Sequence, residues 1–592
     1  MFDLKEIWTS RIAAALNSLL EEAGSPERIE AARVTAELPP RPEMGDLGFP
    51  MFAYAKLLRK GPPQIAALVA EKTLRDVSAA SGAVSAEGPY VNVRCDRAAA
   101  ARAILAEAPE DAAGPLPLRG RRIMVEFSSP NTNKPLHLGH LRNDILGESI
   151  SRILAARGAD VRKVCIINDR GIHICKSMLA YQRLGGGRTP ESEGRKSDHF
   201  VGDWYVAFNK MARDEKAARG AGEKTPSGAE ESAQELLRKW EAGDSETVEL
   251  WKKMNGWTVD GMKATYERTG VSFDQYYFES GTYLKGREEI LKGLEKGLFY
   301  RADDGSVWVD LEEEKLGKKV LLRKDGTSLY ITQDIGTAIY RHNDWPFDTL
   351  VFVVGSEQQY HFRVLFTILE KLAFPWAKNL CHLSYGMVNL PEGKMKSREG
   401  TVVDADDLLD KLHQMALEEI REKEREAEVG DPDEVAEKVA LGALHYYLLS
   451  VTAAKDMLFD PKESLSFNGN TGPYLQYMGA RISSMLRKAG ADGASPPPKD
   501  FPPPDDTEWE LVKTIALYNE VLNDAARVMD PSVLAAYLYN LSRAFSRFYH
   551  DCPILAAPTN ELRSARLLLS KAVLRILKDA MRMLCIPFLE IM

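Results

Sequence analysis

The feature that most constrains the fold of this chain is an apolar run that leads into a glycine-containing turn and an amphipathic helix. The run occupies residues 123–127, the turn carries His-Leu-Gly-His at 137–140, and a helix is predicted from 138 to about 157. A second apolar run follows at 161–167, so the order predicts a parallel β-α-β unit. The start of such a helix offers unpaired N–H groups and a positive dipole end. Because ligands bind at the carboxyl ends of parallel strands, the sequence predicts a phosphate site here.

A second motif, EGKMKSREGTVV at 392–403, places Lys394 where it would meet a phosphate chain as negative charge develops. The alternative for such a charge run is a solvated lysine loop. His137 and His140 lie three residues apart and can face one pocket, while Gly139 leaves room for a flat base. Alone, this tetrapeptide would also suit a loop of hydrogen-bonded histidines. The flanking strand and helix favour the interpretation that the two motifs are halves of one ATP site.

Length and composition indicate a soluble protein of several domains. The 592 residues exceed what one core holds, and the hydrophobic content of 44% is ordinary. The net charge of −9 means that any RNA would be bound by locally gathered positive charge. Six cysteines without C-x-x-C spacing argue against a zinc module and a disulfide framework. Reduced thiols, with no signal peptide and no membrane span, predict a cytoplasmic location.

The chain changes character several times along its length. A Pro/Gly-containing stretch at 112–120 is predicted to be a linker, and 185–250, rich in Gly, Lys, Glu and Ser, is predicted to be an insertion that splits the sheet domain. Everything beyond 405 has a helical pattern, interrupted by a Pro-rich loop. Between these regions the strand pattern returns at 328–332, 349–355 and 383–390.

Longer motifs resemble one known family. The tetrapeptide at 137–140 and KMKS at 394–397 are similar to the HIGH and KMSKS motifs of class I aminoacyl-tRNA synthetases. The surrounding sequence resembles that of the arginyl-tRNA synthetase family, and the similarity runs from residue 45 to the last helix. It is carried by EFSSPNTNKPLHLGHLR at 126–142, FNGNTGPYLQY at 467–477 and FSRFYHDCPIL at 545–555.

The resemblance implies an α/β Rossmann-like catalytic domain with an insertion, an N-terminal α+β domain that binds tRNA, and a C-terminal all-α anticodon-binding bundle. It also implies activation of arginine by ATP and transfer of the arginyl group to tRNA(Arg), with tRNA needed for activation. Mg²⁺ would accompany ATP, no zinc is expected, and a monomer is the default. The expected domains are 1–115, 118–404 with an insertion at about 185–285, a helical connecting region at 405–466, and 467–592.

The resemblance also assigns the residues of the activation site. Ser397 stands where the family motif has its second lysine, and Lys134 matches a lysine thought to substitute for it. The expected catalytic residues are therefore His137, Gly139, His140, Lys134 and Lys394. Nucleotide binding would involve Ser129, His137, Gly139, His140, Lys394, Met395 and Ser397.

Selection of arginine can be argued from its chemistry. A guanidinium is a planar fork of donors, so its selection over lysine calls for carboxylates that accept in pairs. The resemblance places them at Glu279 and Asp334, with Tyr330 one helical turn before Asp334. Asn131 and Gln358 would hold the α-amino and carboxylate groups. Taken singly, each acid would also suit a surface position or a helix cap.

Two regions are candidates for RNA contacts. Tyr90 and Asn92 alternate along a predicted strand at 88–94, and the resemblance implies that they read a D-loop base. The alternative is an ordinary hairpin with Tyr90 half buried. Basic residues of the C-terminal bundle could line a backbone-binding face, although basic residues are common on any bundle: Arg481, Arg487, Lys488, Arg543 and Arg547.

Two other functions remain open at this level. One is another class I synthetase, or a HIGH-bearing nucleotidyltransferase that forms an adenylate without tRNA. The other is a catalytically silent relative that binds tRNA as a chaperone or sensor. The intact His137, Gly139, His140 and Lys394, together with the flanking domains, favour the arginyl enzyme.

Overall fold

The computed structural model describes residues 4–37, 39–76, 82–106, 116–219, 226–389, 403–422, 430–490 and 501–592. The segment 390–402, which carries Lys394, Met395 and Ser397, lies outside the described residues, as does the first part of the predicted linker, 112–115. Within the described ranges, no helix is both long and apolar enough to cross a membrane.

The N-terminal region is a small α+β unit around a three-stranded antiparallel sheet. Its middle strand is the last in sequence and pairs with both others. Asp46 accepts a hydrogen bond from Trp509 Nε1 at 2.5 Å, and Arg97 pairs with Asp506 at 2.8 Å, so this unit docks on the C-terminal helices. Its elements are α1 (Leu4–Glu22), β1 (Leu47–Pro50), α2 (Ala55–Leu58), α3 (Pro62–Asp76), β2 (Gly82–Glu87), β3 (Tyr90–Cys95) and α4 (Arg97–Ala106).

The central region is built on a five-stranded parallel sheet. A separate three-stranded antiparallel sheet packs beside it. Two further short strands, at 388–389 and 457–458, pair with each other in parallel. In chain order the strands are β4 (Arg122–Glu126), β5 (Asp160–Ile167), β6 (Gln275–Phe278), β7 (Tyr300–Arg301), β8 (Val307–Leu311), β9 (Gly317–Leu322), β10 (Thr349–Gly355), β11 (Leu380–Tyr385) and β12 (Val388–Asn389). The parallel sheet has the order β11-β10-β4-β5-β6, and β7, β8 and β9 form the antiparallel one.

Helices cover the sheet and form the insertion. The helices of this region are α5 (Leu138–Ala156), α6 (Ile172–Leu184), α7 (Ser197–Arg219), α8 (Gly228–Glu241), α9 (Ser245–Thr269), α10 (Glu279–Thr282), α11 (Gly286–Glu295), α12 (Tyr330–Asp344) and α13 (Gln359–Lys371). Helices α7, α8 and α9 pack with α6 around an apolar core of their own.

The C-terminal part is almost entirely helical, as the sequence pattern predicts. Trp509, Phe545 and Phe548 are fully buried among its helices. Its elements are α14 (Ala405–Glu422), α15 (Pro432–Leu449), β13 (Met457–Leu458), α16 (Pro461–Ser464), α17 (Gly472–Lys488), α18 (Asp506–Ala516), α19 (Tyr518–Val528), α20 (Pro531–Asp551) and α21 (Asn560–Met583).

The predicted β-α-β unit is confirmed, since β4, α5 and β5 lie within a residue of their expected bounds. Helix α5 can approach the sheet closely because Gly147 faces it: a Cβ there would lie 2.2 Å from the Phe127 ring. Arg142, on the same helix and only 1% exposed, donates to the carbonyls of Gly386 at 2.7 Å and Lys455 at 2.8 Å. This side chain therefore links the first turns of α5 to the chain around Gly386 and Lys455.

Two predictions about this region were wrong. The segment 328–332 was expected to be a strand, but α12 begins at Tyr330, because Ile331, Ile335 and Ala338 repeat at helical spacing and are buried together. Four apolar or β-branched residues after a serine suit either structure, so the local pattern could not decide. The insertion was expected to reach about 285, yet β6 pairs with β5 in the main sheet, so the helical insertion ends before that strand.

Candidate active site

The corner between β4 and α5 is shaped by two consecutive serines. Ser128 and Ser129 have φ values of 70° and 51°, an unusual left-handed conformation for residues other than glycine. The Ser128 N–H donates to Asn143 Oδ1 at 2.5 Å, and its hydroxyl lies 2.6 Å from the Tyr266 hydroxyl. Such strain persists only where the surroundings hold it, and it turns the chain sharply at the carboxyl end of the strand.

The two histidines of the motif form a reciprocal cap at the start of α5. His137 Nδ1 accepts from the Gly139 N–H at 3.1 Å, and His140 Nδ1 accepts from the His137 N–H at 3.2 Å. Their ring centroids lie 3.9 Å apart. Because Nδ1 is the acceptor in both rings, a neutral imidazole carries its hydrogen on Nε2. The corner therefore presents donors suited to phosphate oxygens, in addition to the N–H groups of the first turn.

Both imidazoles are neutral at pH 7. Burial, with a contribution from Lys134, lowers the pKa of His137 to about 3. Burial and the neighbouring His137 and Lys134 also hold the pKa of His140 well below its usual value. Burial lowers the pKa of Lys134 as well. The positive charge of this corner therefore comes from lysine and the helix dipole.

A cavity of about 410 Å³ opens in front of the corner. It is lined by Asn131, Lys134 and His137 on one side and by residues of α7 on the other. The chain that follows the second motif closes one edge: Leu138 N–H donates to Val403 O, and Ala405 N–H donates to Leu136 O, both at 3.1 Å. Residues 403–405 are thus hydrogen-bonded to the turn between β4 and α5 that carries His137 and His140, which we call the histidine corner.

A second, larger cleft of about 1190 Å³ adjoins the first. Asn131 lines both, which makes the two spaces neighbours. Glu279 and Tyr330 also line the larger cleft, and Asp334 lies one turn beyond Tyr330 on α12. Tyr330 is 79% exposed, so its ring is free to form a wall for a ligand.

The ionisation of Glu279 is set by burial and by its charged neighbours. Burial is the main reason why the pKa of Glu279 rises to about 7; the charge of Arg170 opposes the rise, and the charges of Asp169 and Asp334 add to it. Asp334 Oδ2 lies 2.6 Å from His361 Nε2. Short α10, which begins at Glu279, packs against α12, which carries Asp334, so the fold brings together the two helices that carry the acids. Glu279 lines the cleft, whereas Asp334 is not among the lining residues.

Two residues of this site were missed in the sequence. Arg170 Nη1 lies 3.8 Å from Glu279 Oε1, and its guanidinium stacks 4.0 Å from the Tyr283 ring centroid. His361 is the second, through its contact with Asp334. Arg170 lies three residues after the end of β5, and polar residues at the carboxyl end of a parallel strand were the available signal. His361 lies on α13, and no local sequence pattern indicates that α13 packs against α12.

The remaining predicted residues are placed as follows. Gln358 is exposed in the turn between β10 and α13. Tyr90 and Asn92 lie on β3, where Tyr90 packs edge-on against Phe52 with ring centroids 5.9 Å apart. Asn92 is only 3% exposed and its Nδ2 has no hydrogen-bond partner, so direct contact with a base would require a local rearrangement.

One acidic cluster near the cavity has the spacing of a metal site. Asp198, His199 and Asp406 bring their ligand atoms within 4.8 Å of one another. However, Lys196 Nζ lies 3.0 Å from Asp198 Oδ2 and 2.7 Å from Asp406 Oδ2. The Lys196 ammonium therefore already occupies the position between these two carboxylates that a bound cation would take.

The C-terminal bundle gathers some of the predicted basic residues. Arg481, Arg487 and Lys488 line one cavity of about 470 Å³ together with Tyr549, and the Arg481 guanidinium lies 4.3 Å from the Tyr549 ring centroid. Cations beside an aromatic ring form a surface suited to single-stranded nucleic acid. Arg543 lies over Tyr539 at 5.7 Å, and Arg547 pairs with Asp551 at 3.5 Å.

The parallel sheet, the histidine cap and the flanking domains define a class I aminoacyl-tRNA synthetase, and family models agree. Residues 110–461 match "tRNA synthetases class I (R), catalytic domain", 475–592 match "DALR anticodon binding domain", and 6–95 match "Arginyl tRNA synthetase N terminal domain". Class I tRNA synthetases use ATP.

Known relatives narrow this class further. The arginine–tRNA ligase of Treponema denticola is 56% identical over 602 residues, with both chains fully covered, and that of Treponema pallidum is 54% identical over 600 residues, again with full coverage. The solved arginyl-tRNA synthetase of Thermus thermophilus is 27% identical, covers 98% of this chain and 99% of its own, and has a TM-score of 0.80. This chain belongs to the arginyl-tRNA synthetase family.

Proposed function

We propose that this protein is an arginine–tRNA ligase that activates L-arginine with ATP and transfers it to the 3′ end of tRNA(Arg), releasing pyrophosphate and AMP. The observation that carries the proposal is the adjacency of the two clefts. An acid-lined cleft suited to a guanidinium meets the cavity of the histidine corner at Asn131. An arginine that extends from the acids towards Asn131 brings its carboxylate to the phosphate side.

In the first step an arginine carboxylate oxygen attacks the α-phosphorus of ATP, the bond to the β-phosphate oxygen breaks, and pyrophosphate leaves. The substrate supplies the nucleophile, so the protein contributes position and charge stabilisation. His137 and His140 donate from Nε2 to phosphate oxygens, and the first-turn N–H groups of α5 add to them. In the second step a hydroxyl of the terminal ribose attacks the acyl carbon and AMP leaves.

Lys134 supplies positive charge for the departing pyrophosphate. It lines the cavity beside His137, and its lowered pKa reflects a desolvated ammonium, whose attraction to phosphate is stronger than in water. On sequence grounds Lys394, Met395 and Ser397 complete the nucleotide site, with Ser129 and Gly139 at the corner. Mg²⁺ would be held chiefly by the phosphates and water, because the nearby acid cluster is already paired with Lys196.

At the arginine end, Glu279 and Asp334 accept from the guanidinium, Tyr330 covers the side chain, and Asn131 and Gln358 hold the main-chain groups. The two terminal domains bind the RNA. Residues 1–115 contact the D-loop through Tyr90 and Asn92, and residues 467–592 bind the anticodon. Residues 118–404 carry out catalysis, and 405–466 connect it to the bundle. The protein acts in the cytoplasm as a monomer, without a zinc ion.

The decisive experiment is pyrophosphate exchange with purified protein. Arginine-dependent exchange that appears only with tRNA(Arg) supports the proposal. Exchange without tRNA, driven by another amino acid, would favour the adenylate-forming alternative, and tRNA binding without exchange would favour a silent relative. Lys134→Ala should depress the exchange rate at least tenfold more than it changes the Kd for arginine. An unchanged rate would remove Lys134 from the mechanism.

A further inference from the structure

The chain after the second motif is held at the corner by side chains as well as by backbone pairing. Asp404 forms an isolated antiparallel bridge with His137, and its Oδ1 caps α14 by accepting from the Asp406 N–H at 2.9 Å. His199 of α7 contacts both acids: its Nε2 lies 3.1 Å from Asp406 Oδ2 and 3.5 Å from Asp404 Oδ1. One imidazole of the insertion thus joins the two carboxylates that fix this edge of the cavity.

The contact is part of a larger ionic group. Lys196 Nζ donates to Asp198, to Asp406 and, at 2.6 Å, to Thr265 Oγ1 of α9. Asp198 is completely buried. Lys196 thus contacts two carboxylates, and Asp404 joins the group through His199 as a third. With one lysine for three carboxylates, the group carries two excess negative charges when His199 is neutral. Protonation of His199 reduces the excess to one.

These charges lie where they affect the nucleotide. His199 and Asp404 line the same cavity as Lys134 and His137, and that cavity is where the triphosphate is placed above. A phosphate chain is repelled by uncompensated carboxylates and attracted by a protonated imidazole. The same proton strengthens the contacts that hold Asp404 at the corner, because hydrogen bonds between charged partners are stronger than neutral ones.

We propose that His199 is a positioning residue for adenylate formation: its protonated form clamps Asp404 and Asp406 and holds the chain after the second motif against the histidine corner. This inference rests on the proposed function of the corner. It assigns a role to the insertion, which the sequence left without one. His199 acts through Asp404 and does not touch the reacting atoms.

The protonation state of His199 is set by the groups that surround it. The hydrogen bond to Asp406 raises the pKa of His199, and the charges of Asp404 and Asp198 add to this effect against the cost of burial. Burial opposes the ionisation of Asp406, but hydrogen bonds from His199 and Lys196 lower its pKa to about 2, so it remains ionised. Lys196, on the N-terminal side of α7, and Lys134, across the cavity, are the facing cations. The clamp is therefore complete below the raised pKa of His199 and is lost as pH rises through it.

The test compares pH profiles of arginine-dependent pyrophosphate exchange with tRNA, between pH 6 and 9, for wild-type protein and His199→Gln. Glutamine keeps a hydrogen-bond donor but cannot be protonated. We expect kcat at pH 6.5 to fall about tenfold, the alkaline decline of wild-type kcat to disappear, and KM for arginine to stay within about twofold. Asp404→Asn, which keeps the capping oxygen, should also abolish the alkaline decline.

His413→Gln is the matched control. His413, on α14, also bridges two carboxylates, Glu437 at 2.7 Å and Asp433 at 3.2 Å, both on α15, but it lies more than two helical turns from Asp404. Its pH profile should equal that of the wild type. The inference is overturned if His199→Gln keeps the wild-type profile, or if both histidine variants lose kcat in proportion to a lowered Tm. A wild-type protein without arginine-dependent exchange would instead refute the proposed function.

Discussion

The histidine corner and the arginine cleft are built in opposite ways. At the corner, His137, Gly139 and His140 bond to one another within four residues, and burial makes both rings neutral. In the cleft, Asn131, Glu279 and Asp334 come from three different elements, and burial keeps one acid near its titration point. The corner is therefore a phosphate site formed by residues that are close in sequence. The cleft is formed by residues that are distant in sequence, and its charge depends on the groups packed around it. The two should respond differently to substitution and to pH.

The largest effect is expected for Glu279→Gln. An unpaired guanidinium in a partly buried cleft costs about 2–5 kcal/mol, which raises KM for arginine about 30-fold to several thousand-fold. The rate at saturating arginine should change little. Steady-state exchange kinetics measure both values, and Glu288→Gln, an exposed carboxylate on α11, is the control. Equal losses in KM and kcat would mean that the cleft and the corner are not separable.

The next largest effect is expected at the corner. His137→Ala should lower kcat for adenylate formation about 10²- to 10³-fold, because one preorganised donor to the phosphates is lost. KM for arginine should be nearly unchanged. His137→Asn retains a helix-capping acceptor, so it should recover the stability lost in the alanine variant without recovering the rate. Recovery of the rate by asparagine would show that His137 acts only as a cap.

A smaller effect should follow from pH. The pKa of Glu279 lies above its ordinary value, at about 7, so its carboxyl becomes neutral as pH falls through that range. Arginine needs the ionised form, and its Kd should therefore rise about tenfold from pH 8 to pH 6. Calorimetric titration with arginine measures this directly. The Glu279→Gln variant should bind weakly with no such slope, and a slope in that variant would assign the titration to another group.

The smallest effect is expected for His361→Gln. This change replaces the contact that orients Asp334 with a more flexible one, at a cost of about 1 kcal/mol. KM for arginine should rise about fivefold, while the exchange rate at saturation stays the same. A larger change than that of Glu279→Gln would mean that Asp334 is the dominant partner of the guanidinium.

Sequence patterns predicted one region well and the other only in outline. The β4-α5-β5 unit and its motif follow from apolar periodicity and capping within some 45 residues, and the structure matches them closely. The start of α12 was mistaken for a strand, although this helix carries Tyr330 and Asp334. The family resemblance named those two residues, but it did not reveal Arg170 or His361 beside the acids.

By itself, the sequence determined the corner, because a turn, a cap and a helix dipole arise from neighbouring residues. Tertiary structure alone decided the electrostatic state of the cleft and the clamp at His199. The pKa of a carboxyl depends on burial and on charges contributed by other elements, and Asp334, Arg170 and Asp406 reach their partners only through packing. Such distances are not encoded in any short stretch of the chain, which is why they were absent from every local pattern.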